Sequence, residues 1–179
     1  MDFQYILSQV FTVIMYAFLA MTYFCKKKRT IVIVSGIAIV INALVYLLLS
    51  AWTGLAMCGV AAARNLYLLW DEKKHGKSNK ITKKDVIFLI IVYIAIILVT
   101  IPTYDGFLSL LSVFATSLYT FSIWQKSTKI YKLCGVLVSG LWIAYNAYVH
   151  SLFGIILESV LLVASTIGFI TEARKKKRK

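Results

Sequence analysis

Apolar residues run along this chain in long continuous stretches, not in the alternation of half-buried strands. Seven such runs stand out: Gln4–Phe24, Thr30–Leu49, Trp52–Trp70, Val86–Thr103, Phe107–Trp124, Lys132–Tyr148 and Ser151–Ile170. About 20 helical residues, rising ~1.5 Å each, cross a hydrocarbon core roughly 30 Å thick. The pattern therefore predicts an all-α integral membrane protein with seven transmembrane helices. A membrane β-barrel would need alternating apolar and polar positions instead. The first run is too long for the apolar core of a secretory signal, and Asp2 stands where such a signal is positive. It is expected to be retained as the first span.

The polar gaps between the runs alternate in character. One set is basic: KKKR at Lys26–Arg29, DEKKHGKSNKITKKD at Asp71–Asp85, QKSTK at Gln125–Lys129 and RKKKRK at Arg174–Lys179. The other set (SAW, TYDG and HS) is short and holds no Lys or Arg. Cationic loops are retained on the cytoplasmic side, so the N-terminus is expected outside and the C-terminus in the cytoplasm. Of the 20 Lys and Arg, 19 fall in or beside the basic gaps and the tail, and Arg64 alone is left over.

Composition agrees with the pattern. Of 179 residues 60% are hydrophobic, and the mean hydropathy is +0.82, against roughly 45–50% apolar residues in a soluble domain. The net charge of +13 lies in clusters that face anionic lipid, without the interleaved aromatics of a nucleic-acid platform. Cys25, Cys58 and Cys134 are isolated, and His75 and His150 are far apart in sequence, so neither a metal site nor a cofactor is expected. No Ser–His pair, zinc spacing or clustered carboxylates point to an enzyme.

Sliding the chain against itself by 100 positions aligns two halves without a gap. Lys26 meets Lys126, Arg29 meets Lys129, Gly54 meets Gly154 and Val60 meets Val160. FCKKKR falls on WQKSTK, and SAWTG on HSLFG. The expected architecture is two parallel three-helix repeats, residues 1–74 and 104–179, joined by residues 75–103 as a cytoplasmic loop plus linker helix. That linker helix is rich in Ile and Val, carries Pro102 near its outer end, and is expected to pack peripherally.

The stretch LWIAYNAYVHSLFGIILESVLLVASTIGFITEARKKKRK resembles the C-terminal half of the YgjV-type bacterial inner-membrane proteins. Trp142 and Asn146 four apart, Gly154, Glu158 and the basic tail carry the likeness. LVYLLLSAWTGLAMCGVAAARNLYLLW, which includes Arg64, resembles the matching segment of the first half. The resemblance implies the bacterial cytoplasmic membrane but supplies no substrate. The layout is similar to that of SWEET and PQ-loop proteins. The chain departs from them in having no Pro-Gln pair and no proline in its first, second, fifth and sixth spans.

Few polar residues lie inside the runs: Asn42, Arg64, Asn65, Asn146 and Glu158. A charge there costs about 2.5–3.5 kcal/mol on insertion scales, so such residues face protein or water and mark functional sites. Tyr46 and Trp142 join the set, because each half then carries one Asn and one aromatic four apart, in swapped order. Together these seven residues form the candidate solute-binding site. Each has a plainer reading. Arg64 can snorkel to the headgroups, Glu158 can be a protonated interhelical donor, and the asparagines can be interhelical glue. Arg64 and Glu158 come from corresponding helices, yet their expected backbone heights differ by something near 9 Å. The leading expectation is a transporter of a polar or anionic solute by alternating access between two three-helix bundles. The alternative is a non-transporting receptor or accessory protein that docks a partner or anionic lipid through its basic segments.

Overall fold

The structure, a computed structural model, describes residues 3–177 except 51, 76–81, 104–108, 126, 149 and 151. Among the described residues seven α-helices form, and no strand. They are α1 (Phe3–Phe24), α2 (Lys28–Leu48), α3 (Trp52–His75), α4 (Lys83–Thr100), α5 (Ser109–Trp124), α6 (Thr128–Tyr148) and α7 (Leu152–Lys177), with a 3-10 turn at Ile101–Thr103. Four of these, α1, α2, α6 and α7, are long and apolar enough to cross a membrane. The other three depart for local reasons. The last turn of α3 holds Asp71, Glu72, Lys73 and Lys74, α4 opens on Lys83, Lys84 and Asp85, and the described part of α5 has 16 residues. The outer turn expected at TYDG lies outside the described residues, apart from Thr103.

Helices run past several of the apolar boundaries because Lys, Glu and Arg are good helix formers. Thus α6 starts four residues before Lys132, and α7 continues beyond Ile170 through the charged tail. α4 starts ahead of Val86 because Thr82 and Asp85 form a capping box. Asp85 N–H donates to Thr82 Oγ1 at 3.4 Å, and Thr82 N–H donates to Asp85 Oδ2 at 2.8 Å. This satisfies two donors that a bare helix start would leave open. Trp124 Nε1 donates to the Asp85 carbonyl at 3.2 Å, which ties the start of α4 to the end of α5.

Each helix packs on its sequence neighbours, and α7 returns to α1, so the seven close into a ring. α1 meets α7 directly, whereas α4 stands between α3 and α5. The exterior of the ring is apolar. On α7, Ile156, Val160, Val163, Ile167 and Ile170 are exposed, while Glu158, Leu161, Ser165 and Gly168 face inward. The two stripes follow helical periodicity with the apolar one outward, the arrangement a lipid solvent demands. Small hydroxyls occupy the interhelical contacts. Ser8, Thr22, Ser35, Ser122 and Ser165 are fully buried, and each donates to the carbonyl three residues earlier in its own helix.

Many features recur 100 residues apart. Helix ends pair as Phe24 with Trp124, Lys28 with Thr128, Leu48 with Tyr148 and Trp52 with Leu152. The turns after α2 and α6 both hold a residue in the left-handed region, Ser50 at φ 53° and His150 at φ 55°. Burial follows the same spacing, in the pairs Thr22 and Ser122, Ile31 and Tyr131, Cys58 and Glu158, Arg64 and Ala164, and Asn65 and Ser165.

The tightest packing lies toward the end of the ring that carries the basic gaps. Tyr23, Ile31, Val32, Ile123, Tyr131, Leu161 and Ala164 form one buried cluster there. The Tyr23 and Tyr131 rings stack at 5.4 Å, and the Tyr131 and Thr22 hydroxyls bond at 2.6 Å. Two glycines permit this closure: a Cβ on Gly168 would strike the Tyr23 backbone carbonyl, and one on Gly135 the Tyr23 ring. A backbone atom cannot move aside as a flexible side chain can. Gly168→Ala is therefore expected to lower stability by about 1–3 kcal/mol through overpacking. Gly140 has open space around its would-be Cβ, so Gly140→Ala should be neutral or stabilising by up to ~1 kcal/mol. Thermal melts of the two purified variants in one detergent check the contrast.

Candidate functional site

Arg64 lies on α3 directly after the stretch Gly59 to Ala63. It is 3% exposed. Its Nε and Nη2 donate to Asn65 Oδ1 at 3.2 and 3.1 Å, and Nη1 donates to Thr120 Oγ1 on α5 at 2.9 Å. The guanidinium also lies 5.4 Å from the centre of the Tyr119 ring, within cation–π range. The snorkelling alternative is thereby overturned, since the side chain is turned into the ring and bonded there. Asn65 extends the network to α2, donating through Nδ2 to Ser35 Oγ at 2.9 Å and to the Val32 carbonyl at 3.3 Å. One charged side chain and its neighbour thus join three helices.

Glu158, on α7, is 5% exposed. Tyr16 on α1 donates to its Oε1 at 2.9 Å. Ser139 of α6 lies beside the carboxylate, but neither Ser139 Oγ nor Glu158 Oε2 makes a well-formed hydrogen bond. Arg64 and Glu158 do not pair directly, because each is bonded to other residues. The reason is register. Glu158 sits 100 residues beyond Cys58, not beyond Arg64, and that six-residue offset amounts to about 9 Å of helical rise.

Between the two lies a cavity of about 370 Å³ to whose wall all seven helices contribute. Of the seven residues singled out in the sequence, Asn42, Tyr46, Arg64, Trp142 and Glu158 line it, whereas Asn65 and Asn146 do not. Asn65 stands behind Arg64 as its acceptor. Asn146 is half-buried on α6, one turn beyond the wall residue Trp142. α4 is not peripheral: Val92 and Ile96 are buried and line the cavity, while Ile91 and Ile94 face outward. Among the described residues three buried side-chain oxygens lack a hydrogen bond, Tyr119 Oη, Ser139 Oγ and Glu158 Oε2. All three belong to residues of the cavity wall. Buried polar atoms without partners are rare in folded proteins, and each calls for an explanation such as an ordered water or a bound group.

Sequence reasoning missed two cations that it assigned to topology alone. Lys132 is 2% exposed and its Nζ meets Glu172 Oε2 at 3.0 Å. Lys28 Nζ donates to the Ser122 carbonyl at 3.0 Å and lies 4.9 Å from the centre of the Tyr131 ring. Both precede long apolar runs, so hydropathy read them as flanks. The wall residues Tyr119, Thr120 and Ser139, and Tyr16 as the Glu158 donor, were also missed, because nothing in their local sequence separates them from other buried Tyr, Ser and Thr.

The match that decides kinship covers nearly the whole chain: a family described as Imp-YgjV, bacterial inner membrane protein, aligns with residues 6–176. The chain belongs to the Imp-YgjV family. No curated protein and no solved structure matches it. None of these comparisons shows the likeness to SWEET and PQ-loop proteins expected from the layout. As an Imp-YgjV protein the chain resides in the bacterial inner membrane, with its apolar exterior against lipid.

The two asparagines separate wall support from surface. Asn65→Ala removes the Arg64 acceptor and the links to Val32 and Ser35. It is expected to cost about 2–4 kcal/mol, because it strands a buried charge. Asn146→Ala should cost under ~1 kcal/mol. Thermal unfolding in a single detergent reads both, and equal losses would contradict the assignment.

Proposed function

We propose that this Imp-YgjV protein is a carrier that binds a small polar or charged solute in the central cavity and exposes it alternately to the two sides of the membrane. The observation that carries the reading is a cavity walled by every helix, with Arg64, Glu158 and three unpartnered buried oxygens on its surface. Its volume of about 370 Å³ falls in the range of small-molecule sites, roughly 300–1,000 Å³. Intramembrane ionisable residues facing a cavity are characteristic of solute and ion pathways.

The recurrences at 100 residues support two parallel halves, α1 to α3 and α5 to α7, with α4 as the piece joining them. On this reading all seven helices span the membrane, and the basic gaps face the cytoplasm. The wall residues Asn42, Tyr46, Met57 and Trp142 lie toward the opposite, outer end. The buried tyrosine cluster then seals the cytoplasmic side. Thr22 to Tyr131 and Lys28 to Ser122 are bonds between the halves. Opening inward breaks both while each half keeps its own packing, and Lys132 with Glu172, both in the second half, stays intact.

Counterflow of radiolabelled polar and charged metabolites into reconstituted vesicles tests the proposal. Saturable uptake of at least one solute is expected. It should fall at least tenfold in Arg64→Ala and Glu158→Gln, and persist in Leu66→Ala, which faces outward. No saturable flux for any solute would leave the binding-protein alternative in possession of the cavity.

A further inference from the structure

The cavity wall carries one basic and one acidic side chain, and among the described residues neither meets an opposite charge. Arg64 bonds there to the neutral oxygens of Asn65 and Thr120. Glu158 receives one hydrogen bond from Tyr16, and its Oε2 has none. Both residues are at least 95% buried, in surroundings where an unpaired charge costs several kcal/mol (an order of magnitude). Their positions differ by about 9 Å of helical rise, each is bonded to other residues, and both line the cavity.

A ligand carrying only a negative charge would satisfy Arg64 and meet repulsion at Glu158. One carrying only a positive charge would do the reverse, and a neutral solute would leave both charges unpaired. A ligand bearing both signs is stabilised at both ends, and like-charge contact selects against the others. We propose that the cavity of this Imp-YgjV protein binds a zwitterion of amino-acid size, its carboxylate on the Arg64 guanidinium and its ammonium on Glu158 Oε2 and Ser139 Oγ. This rests on the carrier reading only in taking the same cavity as the solute site.

The guanidinium keeps N–H groups on Nη1 and Nη2 beyond those used by Asn65 and Thr120, so it can take a carboxylate without giving up its own support. The apolar remainder of the wall, from Met57, Val92, Ile96 and Val138, suits an aliphatic or aromatic side chain. Trp142 and Tyr46 are also in the wall, and aromatic rings there suit a ligand that carries a cation.

The test is direct binding to the full chain in lipid nanodiscs, without any transport step. The probes are sets of three matched compounds: an L-α-amino acid, its α-amide, which lacks the carboxylate, and its des-amino acid, which lacks the ammonium. In at least one set the amino acid is expected to bind at least tenfold more tightly than both truncated relatives. Glu158→Gln should abolish the preference over the des-amino acid and keep the preference over the amide. Its amide oxygen can still accept from Tyr16, so folding should survive. Arg64→Gln should do the converse. If that variant does not fold, Ser139→Ala serves instead. It removes an unpartnered hydroxyl and should weaken the amino acid at least threefold while leaving the des-amino acid unchanged. Equal binding of the three members in every set, or no binding by any amino acid, overturns the proposal. The intended binding pattern with no vesicle flux would remove the carrier reading and keep the zwitterion site. Saturable flux of a singly charged solute without this discrimination would do the opposite.

Discussion

A guanidinium buried inside the ring of helices organises the centre of this protein. Arg64 sits where hydrocarbon would surround it, and burial is tolerable only because Asn65 and Thr120 supply oxygens and Tyr119 a ring face. Hydrogen bonds to a charged group stabilise by about 1.5–3 kcal/mol each, comparable to what insertion of the charge costs. The same bonds hold α3 against α5 directly and against α2 through Asn65. The residue that threatens the fold thus also draws three helices around a common space.

The rest of the ring follows from having lipid outside. When the solvent is as apolar as the side chains, small residues that let helices approach closely gain weight, and buried Ser, Thr, Ala and Gly stand beside the Tyr23–Tyr131 cluster in the contacts. Gly168 lets α7 lie against the Tyr23 backbone of α1 and close the circle. On the opposite side α4 fills the gap between α3 and α5. The result is asymmetric in depth. Toward the basic end the tyrosine cluster leaves no room, and toward the other end the wall residues stand apart. Two charges of opposite sign, offset by about two helical turns, face that space.

Much of this was legible in the sequence. Continuous apolar runs located the seven helices, four of them long and apolar enough to cross a membrane, and helix ends recur at the 100-residue offset. Arg64 and Glu158 could be singled out because charge is rare in such runs. What stayed hidden depends on rotation about the helix axis. Asn65 and Asn146 look alike in sequence, yet one supports the guanidinium from behind and the other lies one turn beyond the wall. Hydropathy gave α4 no inward face, since Val92 and Ile96 are as apolar as the outward-facing Ile91 and Ile94. Lys28 and Lys132 read as flanks because a window average cannot tell a solvated lysine from one drawn into the bundle by a carbonyl or a carboxylate. A direct Arg64–Glu158 pair was attractive from helix correspondence alone, but the six-residue register offset prevents it.

The central claim is that Arg64 faces a polar cavity and not the lipid. Cysteine accessibility tests it most directly, because a charged thiol reagent reacts only with a thiolate that water can reach. In a background with Cys25, Cys58 and Cys134 replaced, Arg64→Cys and Glu158→Cys should be labelled at least tenfold faster than Leu66→Cys and Val160→Cys, whose parent residues are exposed on the apolar exterior. If Arg64→Cys is as inert as Leu66→Cys, or reacts only from the cytoplasmic face, the side chain does not line the cavity and the account fails.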